Sequence, residues 1–252
     1  AGITGVTAEN LAAVNAQVLK QTTGGADTVG EVQALVTGAN SALAKIEAYN
    51  NGNGTTPPAL SVEDYAAAGI TGVTAGNLTA VNANVLAQTT GGADTAPEVQ
   101  ALVATVTATA LSTIANAATL NNAGTTPSVA DFATAGVTGV TSANLAAISS
   151  ALNTGAISGA QASTTAQVQT IVDAYQAILG EANDTNNTHT NPTAEQYAAI
   201  GVNLGSAPET LGLLNSIVSS KPTTDIDTAD KLQELTRIAS AIQLTAAGGT
   251  PN

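Results

Sequence analysis

Apolar residues along this chain fall at helical spacing. Leu11, Val14 and Val18 recur at i, i+3 and i+7, and so do Leu78, Val81 and Val85. Val99, Leu102, Val103, Val106 and Ala110 form a second stripe, and Leu232, Leu235, Ile238 and Ile242 a third. This is the 3.6-residue period of an amphipathic helix. Strand-like alternation occurs only in short pieces such as Thr105-Val106-Thr107, which lie inside a helical window. The pattern predicts an all-α fold.

The stripes repeat. AGITGVTAENLAAVNAQVL from Ala1 returns as AGITGVTAGNLTAVNANVL from Ala68, as AGVTGVTSANLAAISSAL from Ala135 and, further drifted, as IGVNLGSAPETLGLLNSIV from Ile200. Gly2, Gly69, Gly136 and Gly201 mark the phase, at spacings of 67, 67 and 65. A second block follows each copy: TTGGADTVGEVQALV, TTGGADTAPEVQALV, QASTTAQVQTIV and TDIDTADKLQELT. Self-similarity at a fixed period marks a repeat architecture. The expectation is an elongated tandem array of four small three-helix units of about 67 residues, each with one short, one medium and one long helix. Their bounds are 1–60 (short helix missing at its start), 61–127, 128–192 and 193–252 (divergent, ending in linker). The linkers NNGNGTTPPAL (51–60), NNAGTTP (121–127) and NDTNNTHTNP (183–192) carry the Gly, Asn and Pro that stop helices. The end AAGGTPN repeats that linker, so the sequence reads as a window cut from a longer array or as one segment of a fibre.

Start signals agree with three helices per unit. Short helices are expected to open at Ser61, Ser128 and Thr193, and medium ones at Thr7, Thr74, Thr141 and Ser206. Long helices are expected at Thr28 with Glu31, Thr95 with Glu98, Thr164 with Gln167, and Thr228 with Lys231. A hydroxyl with an acidic or amide side chain three residues on is a capping box, in which two orphan N–H groups are satisfied reciprocally. Each such cap contributes about 1 kcal/mol. Lys231 and the medium-helix Asn10, Asn77 and Asn144 are expected to keep the hydroxyl cap and lose the return bond. Tyr65, Phe132 and Tyr197 share one position, four residues before the phase glycine, and read as the largest core plug of their units. Gly5, Gly72 and Gly139 are expected at positive φ or at a tight chain approach.

Composition narrows the function. Five Lys+Arg against 18 Asp+Glu give a net charge of −13, which cannot neutralise a phosphate backbone, so no nucleic-acid partner is expected. The absence of Cys removes disulfides, thiol nucleophiles and Cys-ligated metals. A single histidine excludes multi-His metal sites and argues against a His-based triad. No run of 18 apolar residues and no basic-plus-apolar leader is seen, so neither a membrane span nor a signal peptide is expected in this chain. At 44% hydrophobic and 9% charged residues, the chain sits on the folded side of the disorder boundary. Its core is built from Ala, Val, Leu and Ile, which bury little area each at roughly 25 cal/mol per Å².

At the residues YAAAGITGVTAGNLTAVNANVL with ADTAPEVQALV, the chain resembles the helical tandem repeats of giant bacterial surface proteins. These are the adhesin and biofilm proteins of Gram-negative bacteria, often type I-secreted. The resemblance covers essentially the whole chain, most closely in its first two copies. It implies a secreted, cell-surface stalk or fibre of many like modules, and it implies no catalytic residues.

The candidate sites each have a structural alternative. The turns Gly24-Gly25-Ala26-Asp27-Thr28 and Gly91-Gly92-Ala93-Asp94-Thr95 look like phosphate loops, but lack a preceding strand and the terminal Lys-Ser/Thr. They read as helix–helix turns. Asp225, Asp227 and Asp230 are candidate Ca²⁺ ligands by their hard oxygens and close spacing, although the EF-hand pattern is absent. Capping is the alternative role, and no other metal or cofactor is expected. Asp184 with Asn183, Asn186 and Asn187 is a similar cluster, His189 stands alone in a polar linker, and Asn53, Asn77, Asn183 and Asn186 head N-x-T triplets. Thr105, Thr109 and Thr113 share a helix face and raise an ice- or mineral-binding idea, but the matching Gly38, Ala42 and Ile46 break the row.

The sequence therefore favours a non-enzymatic structural protein. The alternative is a module binding ice, carbohydrate or Ca²⁺ through a repeated face. The expected partners are neighbouring repeats or copies of the chain itself, head to tail.

Overall fold

The computed structural model describes residues 2–52, 58–120, 125–184, 188–205 and 209–248. Among the described residues every regular element is helical. In chain order they are α1 (Leu11–Leu19), α2 (Val29–Asn50), α3 (Val62–Ala67), α4 (Leu78–Leu86), α5 (Ala96–Leu120) and α6 (Val129–Thr134). Then come α7 (Leu145–Leu152), α8 (Thr165–Gly180), α9 (Ala194–Ala199), α10 (Glu209–Ser219) and α11 (Ala229–Ala246). Short 3₁₀ turns lie at Gly159–Ala162 and Thr223–Asp225. The all-α class follows from the apolar period.

Full capping boxes close the N-termini of α2, α3, α8 and α9, at Thr28/Glu31, Ser61/Asp64, Thr164/Gln167 and Thr193/Gln196. The Thr95/Glu98 and Ser128/Asp131 pairs make the same two bonds. At α11, Thr228 accepts from the Lys231 N–H while the return bond is missing, as expected. The medium helices differ from expectation. Regular helix begins at Leu11, Leu78 and Leu145, four residues after the expected hydroxyl. Their asparagines keep the return bond that was expected to be lost: the N–H of Thr7, Thr74 and Thr141 donates to Oδ1 of Asn10, Asn77 and Asn144 at 2.8 Å each. The same Asn amides donate to the Gly5, Gly72 and Gly139 carbonyls at 2.7, 2.7 and 2.9 Å. One side chain thus ties the glycine turn to the helix it precedes. Gly5, Gly72 and Gly139 stand at φ 78°, 79° and 82°, where a Cβ is penalised. Ser206, Asn53, Asn186, Asn187 and parts of the linkers lie outside the described residues.

The chain forms two compact units, residues 1–109 with 134–136, and residues 110–133 with 137–252. In the first, one continuous apolar cluster draws on both of the first two sequence copies: Val14, Val36, Ile46, Leu60, Tyr65, Val81, Val85, Val99 and Val103 all belong to it. Gly69 packs so closely on α1 that a Cβ there would lie 2.5 Å from the Ala12 carbonyl oxygen. Gln17 Nε2 and Lys20 Nζ donate to the Ala67 and Ala66 carbonyls at 2.8 and 3.2 Å. That approach explains why α1 buries Ala13 and Val14 and leaves Leu11 and Val18 exposed, against the stripe read from sequence.

In the second unit the core includes Phe132, Ile148, Leu152, Val168, Tyr175, Ile178, Tyr197, Leu214 and Leu232. Its last helix also departs from the expected stripe. α11 buries Leu232, Thr236 and Ala239, while Ile238 and Ile242 are exposed. The Thr236 hydroxyl donates back to the Leu232 carbonyl at 2.9 Å, so it enters the interior already hydrogen-bonded.

Candidate functional site

The most regular polar feature is a set of amide clamps. Gln33, Gln100, Gln169 and Gln233 each stand five residues after the hydroxyl that opens a long helix. Each Oε1 accepts from a backbone N–H in the turn after the phase glycine: Thr4 at 2.9 Å, Thr71 at 2.9 Å, Thr138 at 2.8 Å and Asn203 at 2.8 Å. Each Nε2 donates to the carbonyl of that same residue, at 3.1, 3.1, 3.2 and 3.0 Å. The side chain pairs with the backbone as a neighbouring strand would, committing its carbonyl and one amide N–H to the fold. Sequence reasoning passed over these glutamines in favour of the capping residues. The signal was present: the capping position drifts from Glu31 and Glu98 to Gln167 and Lys231, while the glutamine two residues later is the same in all four copies.

A second feature is buried. The Tyr65 hydroxyl donates to Asn82 Oδ1 at 2.7 Å, and Asn82 Nδ2 donates to the Leu60 carbonyl at 2.9 Å. Tyr197, Asn215 and Pro192 repeat the arrangement at 2.9 and 3.0 Å. The corresponding third pair is Phe132 and Ser149, and the buried Ser149 Oγ has no hydrogen-bond partner among the described residues. All three aromatics are fully buried, as expected of core plugs. Burial pushes the Tyr65 and Tyr197 hydroxyls above the ordinary phenol range.

The Ca²⁺ candidates are not gathered around a common point. Asp227 Oδ1 meets Lys231 Nζ at 2.6 Å, and that ammonium also donates to the Thr224 carbonyl at 2.7 Å. Asp225 lies 3.9 Å from Lys221 Nζ, and Asp230 sits in the first turn of α11, where a helix N-terminus favours negative charge. Among the described residues no three His, Cys, Asp or Glu side chains converge as a metal-binding group. In the GGADT turn the anion position is filled from within: the N–H groups of Asp27 and Thr28 donate to Glu31 Oε2 at 3.1 and 2.8 Å. The Thr28 backbone N–H and its hydroxyl hold the Glu31 carboxyl below its usual range.

The Thr105 and Thr109 hydroxyls donate to the Ala101 and Thr105 carbonyls, at 2.9 Å each, so these donors serve their own helix. This back-bonding also accommodates threonines in α5, which among the described residues is the helix long and apolar enough to cross a membrane by length and composition. His189 Nδ1 lies 3.2 Å from Asp184 Oδ2. A groove of about 650 Å³ beside the fourth clamp is lined by Asn203, Gln233, Ser240 and Leu244, and by Arg237, which pairs with Glu234 at 3.0 Å.

The class that fold and polar network define is an all-helical protein whose recurrent side chains bond to its own backbone. Comparison of the chain with protein-family models, curated proteins and solved structures finds no match.

Proposed function

We propose that this chain is a structural, non-enzymatic repeat protein: a stalk, spacer or fibre-forming segment of a large bacterial surface adhesin. In this reading it is an extracellular tandem array of four three-helix units, whose partners are neighbouring repeats and copies of itself. The observation that carries the reading is the four-fold glutamine clamp, made at one register position each time. A unit that satisfies its own turns can be copied in series, because stability becomes a sum of unit and neighbour terms. Strong acidity supports it as well, since like-charged neighbours repel and keep an array soluble.

Solution scattering on the full chain, with far-ultraviolet circular dichroism, tests the reading. The expected result is a helical particle whose longest dimension grows by a constant step when one 67-residue copy is added. A compact sphere that only thickens on lengthening would overturn it. Millimolar Ca²⁺ or sugars should leave the melting temperature unchanged; a ligand-dependent rise would instead favour a binding module.

A further inference from the structure

The junction between α8 and α9 holds a carboxyl group that nothing in the repeat scheme uses. Glu181, the C-cap residue of α8, is 1% exposed, and its Oε2 is buried without a hydrogen-bond partner among the described residues. Two residues on, Asn183 takes φ 60° and donates its N–H to the Lys221 carbonyl at 3.0 Å, which ties the end of α8 to the segment after α10. Asp184 is also buried, but it is fully engaged. It accepts from the Thr188 N–H and hydroxyl at 2.9 and 2.7 Å and from the His189 N–H at 2.7 Å. The groups that act on Glu181 are the Asp184 carboxylate and the His189 imidazole, and Glu181 in turn acts on the Tyr197 phenol of α9. Lys221 nearby turns its ammonium to Asp225.

A buried carboxylate oxygen with no donor is costly when ionised and cheap when protonated. A metal ion would have to displace three hydrogen bonds from Asp184, and no metal-holding group forms among the described residues. A proton displaces nothing. We propose that Glu181 takes up a proton within the folded chain, making the α8–α9 junction a pH-sensitive lock that tightens as the medium becomes mildly acidic. Burial, reinforced by the Asp184 charge, raises the Glu181 carboxyl above its usual range, and His189 opposes this. A raised folded value means the stabilisation is complete below the unfolded value of about 4.3 and is lost as pH rises through the folded value. Asp184, held well below the usual carboxylate range by the His189 and Thr188 donors, stays ionised throughout that window.

The test is thermal melting of the full chain between pH 4.5 and 8.5, compared with Glu181→Gln and His189→Asn. The lock predicts a melting temperature that falls toward pH 8.5 in the parent chain and in His189→Asn. Glu181→Gln should lose that slope and exceed the parent by about 2–4 °C at pH 8.5. Carbon-13 titration of the Glu181 carboxyl gives an independent reading, with a midpoint expected clearly above 4.3. A midpoint at or below that value overturns the proposal. So does a slope that survives in Glu181→Gln, or one that vanishes only in His189→Asn. Should Glu181→Gln prove poorly folded, the carbon-13 titration of the parent chain still decides.

Discussion

Tyr65 with Asn82, and Phe132 with Ser149, are the same pair of positions in consecutive copies of one sequence. The first pair is a closed polar chain from a phenol through an amide to the Leu60 carbonyl. The second keeps an aromatic of nearly the same volume, also fully buried, and has lost both the donor and its acceptor. What remains is a Ser149 hydroxyl with no partner among the described residues. An orphaned buried hydroxyl costs about 1–3 kcal/mol, whereas an orphaned Asn amide would have left two kinds of polar atom bare. The contrast teaches that the site keeps its aromatic volume in both copies and keeps or loses the phenol–amide chain as a pair, at the cost of one buried serine hydroxyl. Tyr197 with Asn215, which retains the full chain, supports that ranking.

The contrast can be broken most strongly by removing the volume. Phe132→Ala should cost about 3–5 kcal/mol, read from urea unfolding, and Tyr65→Ala should cost at least as much in the first unit. Comparable stability of either variant with the parent would show that the aromatics are not the plugs. Next comes the amide. Asn82→Ala strands the Tyr65 hydroxyl and the Leu60 carbonyl together, so a loss of about 2–3 kcal/mol is expected. A sharper version is a double-mutant cycle that converts the first pair into the second. Tyr65→Phe with Asn82→Ser should cost less than the two single changes added together, by about 1 kcal/mol. Strict additivity would mean that the two positions drifted independently.

Below these in size stand the surface clamps. Gln100→Ala removes the two backbone bonds to Thr71 and the bond from its hydroxyl at an exposed site, so a loss of about 1 kcal/mol is expected. Protection of the Thr71 amide from hydrogen exchange should fall more than the global stability does. Unchanged protection would make the clamp an ornament of the fold.

Much of this was legible in the residues. Hydroxyl caps, glycine turns and buried aromatics were all readable, because each depends on local chemistry within four or five residues. The medium-helix starts were misread because the side chains of Asn10, Asn77 and Asn144 act backward, onto the turn before the helix, and cap no helical N–H. The α1 and α11 stripes marked helix correctly, but burial follows them only in part. Periodicity says that a face is apolar, while burial depends on what arrives to cover it. At α1 the arriving group is the Gly69 turn, which settles on Ala12 and Ala13. At α11, Thr236 replaces an apolar residue at the buried line by bonding to its own helix. The glutamine clamps and the Glu181 junction span 29 or more residues or depend on burial, and no local rule points to them.

The smallest expected effect is electrostatic and separates the two pairs by pH. Phe132 cannot titrate, whereas burial raises the Tyr65 hydroxyl above its ordinary value of 10. A raised folded value contributes stability that is complete below about pH 10, the unfolded phenol value, and is lost as pH climbs through the folded one. Between pH 6 and 9, therefore, the cost of Tyr65→Phe should be constant, because neither the phenol nor the Asn82 amide changes charge there. Above pH 10 the parent chain should lose stability faster than Tyr65→Phe, and the gap between the two should narrow. Tyr175 and Tyr197, raised in the same sense by burial, add their own alkaline losses, so the difference between the two chains isolates the Tyr65 share. A gap that stays constant to pH 11 would mean that Tyr65 ionises alike in the folded and unfolded chain. The phenol would then have to be hydrated, and the buried Tyr65–Asn82–Leu60 chain would not be the difference between the two copies.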